Sequence, residues 1–270
     1  MRLSHAVEAL EELYPPSWAE SWDAVGLVCG DPAQEVGRVL LAVDPVAAVL
    51  DEALEWGADL VVTHHPLLLR GVTSVAATTP KGRLVHRMIR NGVALYTAHT
   101  NADVADPGVS DALARAVGLT GELRPMVPAA DDPRRGLGRI GDLPEPMPLR
   151  AFTAQVAAGL PATAWGVRAA GDPERTIRTV AVCGGAGDSL LDTARAAGVD
   201  AYLTADLRHH PATEFTAFTD GPALIDAAHW ATEWPWLADA ERRLAKAGTL
   251  ETRVSTRVTD AWRLHHEGAM

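Results

Sequence analysis

Apolar residues recur along this chain in two rhythms. Leu3, Val7, Leu10, Leu13 and Tyr14 fall at helical spacing behind Ser4, a candidate cap, and Pro15-Pro16 closes the run, which predicts a packing helix. Elsewhere the apolar residues come in short, unbroken runs rich in β-branched side chains. These predict strands over residues 25–29, 38–43, 59–63, 92–97, 163–169, 176–183 and 222–226. Helical segments lie between them. One starts at Asp44-Pro45, with a capping side chain and a proline in its first turn, and runs to about residue 56; others cover 81–90, 109–117, 149–160 and 189–197. Strand, helix and strand over residues 38–63 read as a right-handed crossover.

The texture changes over residues 121–148, where prolines and charges cluster at 125–138 and again at 144–148. The first cluster predicts a boundary or a long surface loop. Further on, Gly184-Gly185-Ala186-Gly187-Asp188 predicts a glycine-rich turn into a helix. Such a turn can cradle phosphate with its amides, but it lacks the Walker lysine and the full dinucleotide fingerprint, so a plain strand-to-helix turn is the simpler reading. The chain also echoes itself: residues 57–65, Gly-Ala-Asp-Leu-Val-Val-Thr-His-His, run parallel to residues 198–206, Gly-Val-Asp-Ala-Tyr-Leu-Thr-Ala-Asp. Gly92-x-Ala94-Leu95 likewise parallels Gly221-x-Ala223-Leu224. Together these patterns predict an α/β fold of two related subdomains, with mixed sheets flanked by helices, over residues 1–124 and 125–270, the C-terminal segment packing back on the first half.

Composition narrows the function classes. A chain of 270 residues that is 47% hydrophobic can bury a sizeable core. Its formal charge of -11 argues against a surface that neutralises nucleic-acid phosphates. Cys29 and Cys183 lie far apart with no Cys-x-x-Cys pair, so neither a disulfide framework nor a thiolate zinc site is expected, and a reducing cytoplasm is the natural compartment. No signal peptide and no membrane-spanning run is expected.

The candidate chemistry sits where the strands end. Val61-Val62-Thr63 breaks off into His64-His65-Pro66; the strand of residues 92–97 leads to His99-Thr100-Asn101-Ala102-Asp103; the strand of residues 222–226 leads to His229 and, four residues on, Glu233. The carboxyl ends of strands are where open α/β sheets bind ligands. Neighbouring side chains of a strand face opposite ways, so His64 and His65 serve one cluster only if the chain is already turning or if two metals lie side by side. A His-His pair is also an ordinary surface feature at a strand end. If His229 opens a helix, Glu233 lies one turn along the same face, a spacing that presents metal ligands. His99 can bind metal, shuttle a proton or orient a ligand, and the last two roles are favoured. Arg208-His209-His210-Pro211 repeats the tripeptide inside a polar turn and reads as surface or cleft border; His5 and His86 fall on helices, and His265 and His266 in the tail.

The three strand-end stretches at His64-His65-Pro66, His99–Asp103 and His229–Glu233, with Trp22-Asp23-Ala24-Val25-Gly26-Leu27 near the start, resemble the NGG-interacting-factor-three-like family, whose members are described as type 2 homologues of GTP cyclohydrolase I. The resemblance runs in the same order from the first helix to the last. It implies a toroidal homohexamer with a dinuclear metal centre at the subdomain interface: two divalent ions per subunit, held by His64, His65, Asp103, His229 and Glu233, with Glu233 bridging. Two positions depart from the family pattern. Ala24 stands where asparagine is expected, and Thr204-Ala205-Asp206 where Thr-Gly-Glu is expected; neither is expected to touch a ligand. A nitrogen and oxygen donor set without thiolate suits zinc, iron, manganese, cobalt or nickel. Two divalent ions with open positions activate water, and two cations against two carboxylates leave a net positive site that favours an anionic small-molecule substrate, a phosphate ester or nucleotide. The expected function is a metal-dependent hydrolase in which Glu233 and His99 act catalytically. The alternative is a non-enzymatic metal-handling or regulatory protein.

Overall fold

A computed structural model describes residues 1–218 and 221–266, which divide into two compact units, Met1–Ala105 with Leu237–Thr259 and Asp106–Trp236 with residues 260–266. The first unit contains helix α1 (Leu3–Leu13), strands β1 (Gly26–Cys29) and β2 (Arg38–Ala42), helix α2 (Ala47–Trp56), strand β3 (Leu60–Thr63), helix α3 (Pro80–Asn91), strand β4 (Ala94–Thr97) and the short helix α4 (Thr100–Asp103). Near the C-terminus, strand β13 (Glu251–Val254) joins its sheet, whose order is β1-β4-β3-β2-β13 among the described residues. β13, β2, β3 and β4 run parallel, with Leu40 level with Val61 and Val61 with Leu95, and only β1 is antiparallel. All four residues of β3 are buried, which explains its unbroken apolar run: a central parallel strand is covered on both faces. Leu40, Leu50, Val61, Leu84, Met88 and Leu95 form the core beneath α2 and α3.

The second unit holds helix α5 (Val109–Ala116), strands β5 (Thr120–Arg124), β6 (Val127–Pro128), β7 (Gly136–Leu137) and β8 (Arg139–Pro148), helix α6 (Leu149–Gly159), strands β9 (Val167–Ala170) and β10 (Thr176–Ala186), helix α7 (Leu191–Ala196), strand β11 (Ala201–Ala205), helix α8 (His209–Thr216), strand β12 (Ala223–Ala227) and the start of helix α9 (His229–Leu244). Among the described residues its larger sheet has the order β5-β8-β10-β11-β12-β9, with β10, β11 and β12 parallel and the flanking strands antiparallel. Tyr202, Leu224, Ala181 and Phe215 anchor its core.

The sequence echo has a structural counterpart in the two parallel triplets, β2-β3-β4 and β10-β11-β12. Asp59 Oδ2 accepts the backbone N–H groups of Gly37 and Arg38 at 2.8 and 2.9 Å, and Asp200 Oδ2 accepts those of Arg178 and Thr179 at 2.9 Å each. In each unit, then, one aspartate ties the entry of the central strand to its neighbour.

Several local expectations change. Ser4 lies inside α1, whose N-cap is Arg2. Asp44 does not cap α2, which starts three residues later behind Val46, because its carboxylate is engaged by His65 and Thr259. The proline- and charge-rich cluster of residues 125–138 forms the short antiparallel pair β6–β7 with a turn between them, and β5 and β8 pair on either side of it. Two features disguised β8. Its first residue, Arg139, is buried and bonded to Asp111 at 2.8 Å and to the carbonyls of Gly136 and Gly138, a charge where a strand would show an apolar side chain. Pro144, Pro146 and Pro148 lie beyond the pairing with β5, where a strand edge has no need of their N–H groups. Within residues 106–124, β5 joins the second sheet and α5 belongs to the same unit. The glycine-rich stretch 184–188 also differs: β10 continues to Ala186, Gly185 donates its N–H to Thr232 Oγ1, and the carbonyls of Gly185 and Gly187 accept Thr204 and Tyr202 hydroxyls, so these groups hold the protein together. Among the described residues no helix is long and apolar enough to cross a membrane.

Candidate metal centre

In the first unit, three histidines converge at the carboxyl ends of β3 and β4. The N–H groups of His64 and His65 bond to the carbonyls of Ala42 and Val43 at 3.2 and 2.9 Å, and Thr63 Oγ1 donates to the His65 carbonyl at 2.9 Å. The chain is turning here, which brings the two rings to a centroid separation of 5.2 Å. His99 follows β4 through Ala98, whose N–H bonds to Thr63, and its ring lies 5.1 Å from that of His64 and 5.6 Å from that of His65. Each of the three offers a ring nitrogen within 4.8 Å of the other two. Asp103, at the end of α4, reaches the same cluster, its Oδ1 3.7 Å from His64 Nε2.

The three imidazoles are oriented alike. His64 Nδ1 lies 2.9 Å from the Ala98 carbonyl, His65 Nδ1 2.7 Å from Asp44 Oδ1, and His99 Nδ1 2.8 Å from Asp23 Oδ1. A carbonyl or carboxylate oxygen can only accept, so Nδ1 carries the proton and Nε2 of the neutral ring keeps its lone pair. Asp23 is fully buried and saturated: its Oδ1 also accepts from Ala24 N–H at 2.7 Å, and its Oδ2 accepts the N–H and hydroxyl of Thr100 at 3.0 and 2.6 Å. Burial pushes this carboxyl up, but the bonds from Thr100 and His99 outweigh it and hold the group below the usual carboxylate range. Burial, then the neighbouring His64, push His99 below the ordinary imidazole value despite the support of Asp23. Asn101 pins the loop, donating to the Tyr14 carbonyl at 2.7 Å and accepting the His99 N–H at 2.9 Å.

The second unit supplies the other pair. His229 opens α9 and Glu233 follows one turn later, with His229 Nε2 2.9 Å from Glu233 Oε1. His229 Nδ1 is tethered in the same manner as the others, here to Asp206 Oδ2 at 2.7 Å. The Glu233 carboxylate, against the opposing effect of burial and with help from Asp206, pushes His229 up to about 11. Asp206 follows β11 with φ +57°, an uncommon conformation for a residue with a Cβ. Gly185 faces this pair at φ +70°, and a Cβ there would stand 2.5 Å from Glu233 Oε1 and 3.2 Å from His229 Nε2. Only glycine lets β10 approach so closely.

The first unit thus brings together His64, His65, His99 and Asp103, and the second brings together His229 and Glu233. His209 and His210 start α8, exposed, and His5, His265 and His266 are exposed as well. The expectation that the two departures from the family pattern leave the ligands untouched is corrected for Asp206, which bonds directly to His229. Asp23 and Asp44 are likewise direct partners of site histidines that sequence reasoning left without a role there. For Asp206 a signal existed: the internal echo aligns it with His65. For Asp44 the proline after it pointed to a helix cap instead.

Comparison with known proteins bears on this arrangement. A family model described as Duf34/NIF3 (NGG1p interacting factor 3) matches residues 1–261. The chain is 59% identical over 271 residues to the GTP cyclohydrolase 1 type 2 homolog of Streptomyces coelicolor, covering 98% of this chain and 94% of that one. It is 33% identical over 219 residues to NIF3-like protein 1 of Drosophila melanogaster, covering 80% and 73%. A solved structure of a hypothetical protein from Staphylococcus aureus superposes with a TM-score of 0.89 at 28% identity, over 97% of this chain and 99% of that one.

Proposed function

The chain belongs to the Duf34/NIF3 (NGG1p interacting factor 3) family, and on that premise we propose that it is a metal-dependent hydrolase of a phosphorylated or nucleotide-like small molecule. His64, His65 and Asp103 of the first unit and His229 and Glu233 of the second would hold two divalent ions, a donor set small enough to leave room for water. The observation that carries this reading is the set of four tethered imidazoles: Nδ1 of His64, His65, His99 and His229 each faces an oxygen at 2.7 to 2.9 Å. Outer partners of this kind orient metal-binding histidines and raise their basicity. The nitrogen and oxygen donors fit zinc, iron, manganese, cobalt or nickel.

When bound, such ions supply Lewis acidity and lower the pKa of coordinated water. The chain's own residues do the remaining work. His99, aligned by Asp23 and kept neutral by burial, accepts a proton at Nε2 from the attacking water and returns it to the leaving group. Asp44 and Asp206 hold His65 and His229 in the binding tautomer. The name carried by the Streptomyces relative puts GTP in the first substrate panel. A homohexameric ring in the cytoplasm is part of the same reading and is supported by the family resemblance; light scattering tests the assembly.

The decisive experiment measures metal content and screens phosphoesters and GTP with wild type beside Glu233→Ala. Turnover that requires both metal and Glu233 supports the hydrolase. Tight metal with no turnover across the panel selects a metal-handling protein instead.

A further inference from the structure

Beside His65 the first unit carries a cavity of about 630 Å³ that the metal chemistry leaves without a role. That volume lies inside the range of about 300–1,000 Å³ typical of small-molecule sites. Its apolar wall is made by Pro45, Pro66, Leu67 and Leu84, from the turns after β2 and β3 and from α3. The lining also carries titratable side chains: Lys81, Arg83 and Arg87 from α3, with Asp44 and His65.

The charges are unequally compensated. Arg87 pairs with Asp51 at 2.5 Å, and Asp44 is held by His65 and Thr259. Among the described residues, neither Lys81 nor Arg83 has a carboxylate within ion-pair distance, and the Arg83 contacts are long ones, 3.4 and 3.3 Å, to the carbonyls of Ala77 and Thr78. Two uncompensated cations on one cavity wall stand out in a chain of net charge -11. The positive end of the α3 dipole, at Pro80, adds to the same potential.

We propose that this cavity is the substrate-binding pocket, and that it takes a small organic phosphate with a flat, apolar or heteroaromatic body: Lys81 and Arg83 hold the anionic group, and the proline and leucine wall takes the ring. His65 in the lining places the bound molecule against the metal ligands. The inference deepens the hydrolase reading and rests on it for the reaction, while the binding stands on the cavity itself.

Phenylphosphonate, an aryl anion that is not turned over, is the probe, titrated calorimetrically into metal-loaded protein beside inorganic phosphate. Wild type binds phenylphosphonate more tightly than phosphate, and Lys81→Ala and Arg83→Ala each weaken it about tenfold, the loss of one charge-assisted contact. Ala47→Trp, at an exposed lining position, fills the cavity and abolishes binding, with melting temperature and metal content unchanged as controls. Equal binding by all three variants, or no preference for the aryl anion, overturns the pocket. Binding that follows the charges in a protein that turns over no phosphoester leaves the pocket standing and overturns the hydrolase reading. Turnover whose KM ignores Lys81→Ala and Ala47→Trp does the reverse.

Discussion

His229 Nε2 lies 2.9 Å from Glu233 Oε1 while its Nδ1 lies 2.7 Å from Asp206 Oδ2, so one imidazole is clasped between two carboxylates. In the metal-free protein that ring is an imidazolium over the whole neutral range, because Glu233 raises it to about 11. A metal ion needs the Nε2 lone pair and must displace that proton. Zinc added to metal-free protein between pH 7 and 8 will therefore release about one proton at this pair, and apparent affinity will rise about tenfold per pH unit until His229 titrates. Calorimetry in buffers of different ionisation enthalpy measures the release, and Glu233→Gln should abolish most of it.

Gly185 is the position at which a single methyl group does most harm to the same pair. Its φ of +70° and the 2.5 Å approach of a Cβ to Glu233 Oε1 act together. Gly185→Ala should lose metal and destabilise the fold by about 2 kcal/mol, combining a left-handed conformation with a clash. Urea unfolding and metal analysis of the purified variant check both; a variant with wild-type metal content would show that β10 has room to move.

Asp23 predicts a pH dependence with a definite sign. Its folded pKa lies below the unfolded value of 3.8, so its contribution to stability is present above that value and is lost as pH falls through the folded one. Asp23→Asn should cost the metal-free protein about 1–3 kcal/mol at pH 7, from unsatisfied buried partners, and the gap to wild type should narrow in acid. Urea midpoints at pH 7 and pH 3 test this, and a gap that stays constant would mean the carboxylate charge is irrelevant.

Asp44→Ala and Asp206→Ala remove the oxygens that hold His65 and His229 in the binding tautomer. Each should lower metal affinity by about 10–100-fold with little change in secondary structure. Competition with a chelating dye reads the affinity; Asp206→Glu, which restores the carboxylate at the residue type the family resemblance leads one to expect, should recover most of it.

How much of this was legible beforehand depends on the range of the interactions concerned. β3, β4 and β12 could be read as buried strands because central parallel strands are apolar on both faces, and the aspartates at 59 and 200 advertised the repeat that links β3 with β11. β8 could not, since its buried charge is neutralised by Asp111, which lies 28 positions earlier in the chain. Local pattern alone therefore placed histidines at the ends of β3 and β4 and at the start of α9, and put Glu233 one turn beyond His229.

Which nitrogen each histidine offers was settled only by the folded chain. The partners that fix the rings are remote: Asp44 lies 21 residues from His65, Asp206 lies 23 from His229, Ala98 lies 34 from His64 and Asp23 lies 76 from His99. Periodicity reports the faces of single elements, whereas a hydrogen bond between a ring and a distant oxygen exists only once sheets and loops have packed. So the sequence by itself determined the residue types and the strand ends that carry them, and the tertiary structure decided their tautomers and the close approach that requires Gly185.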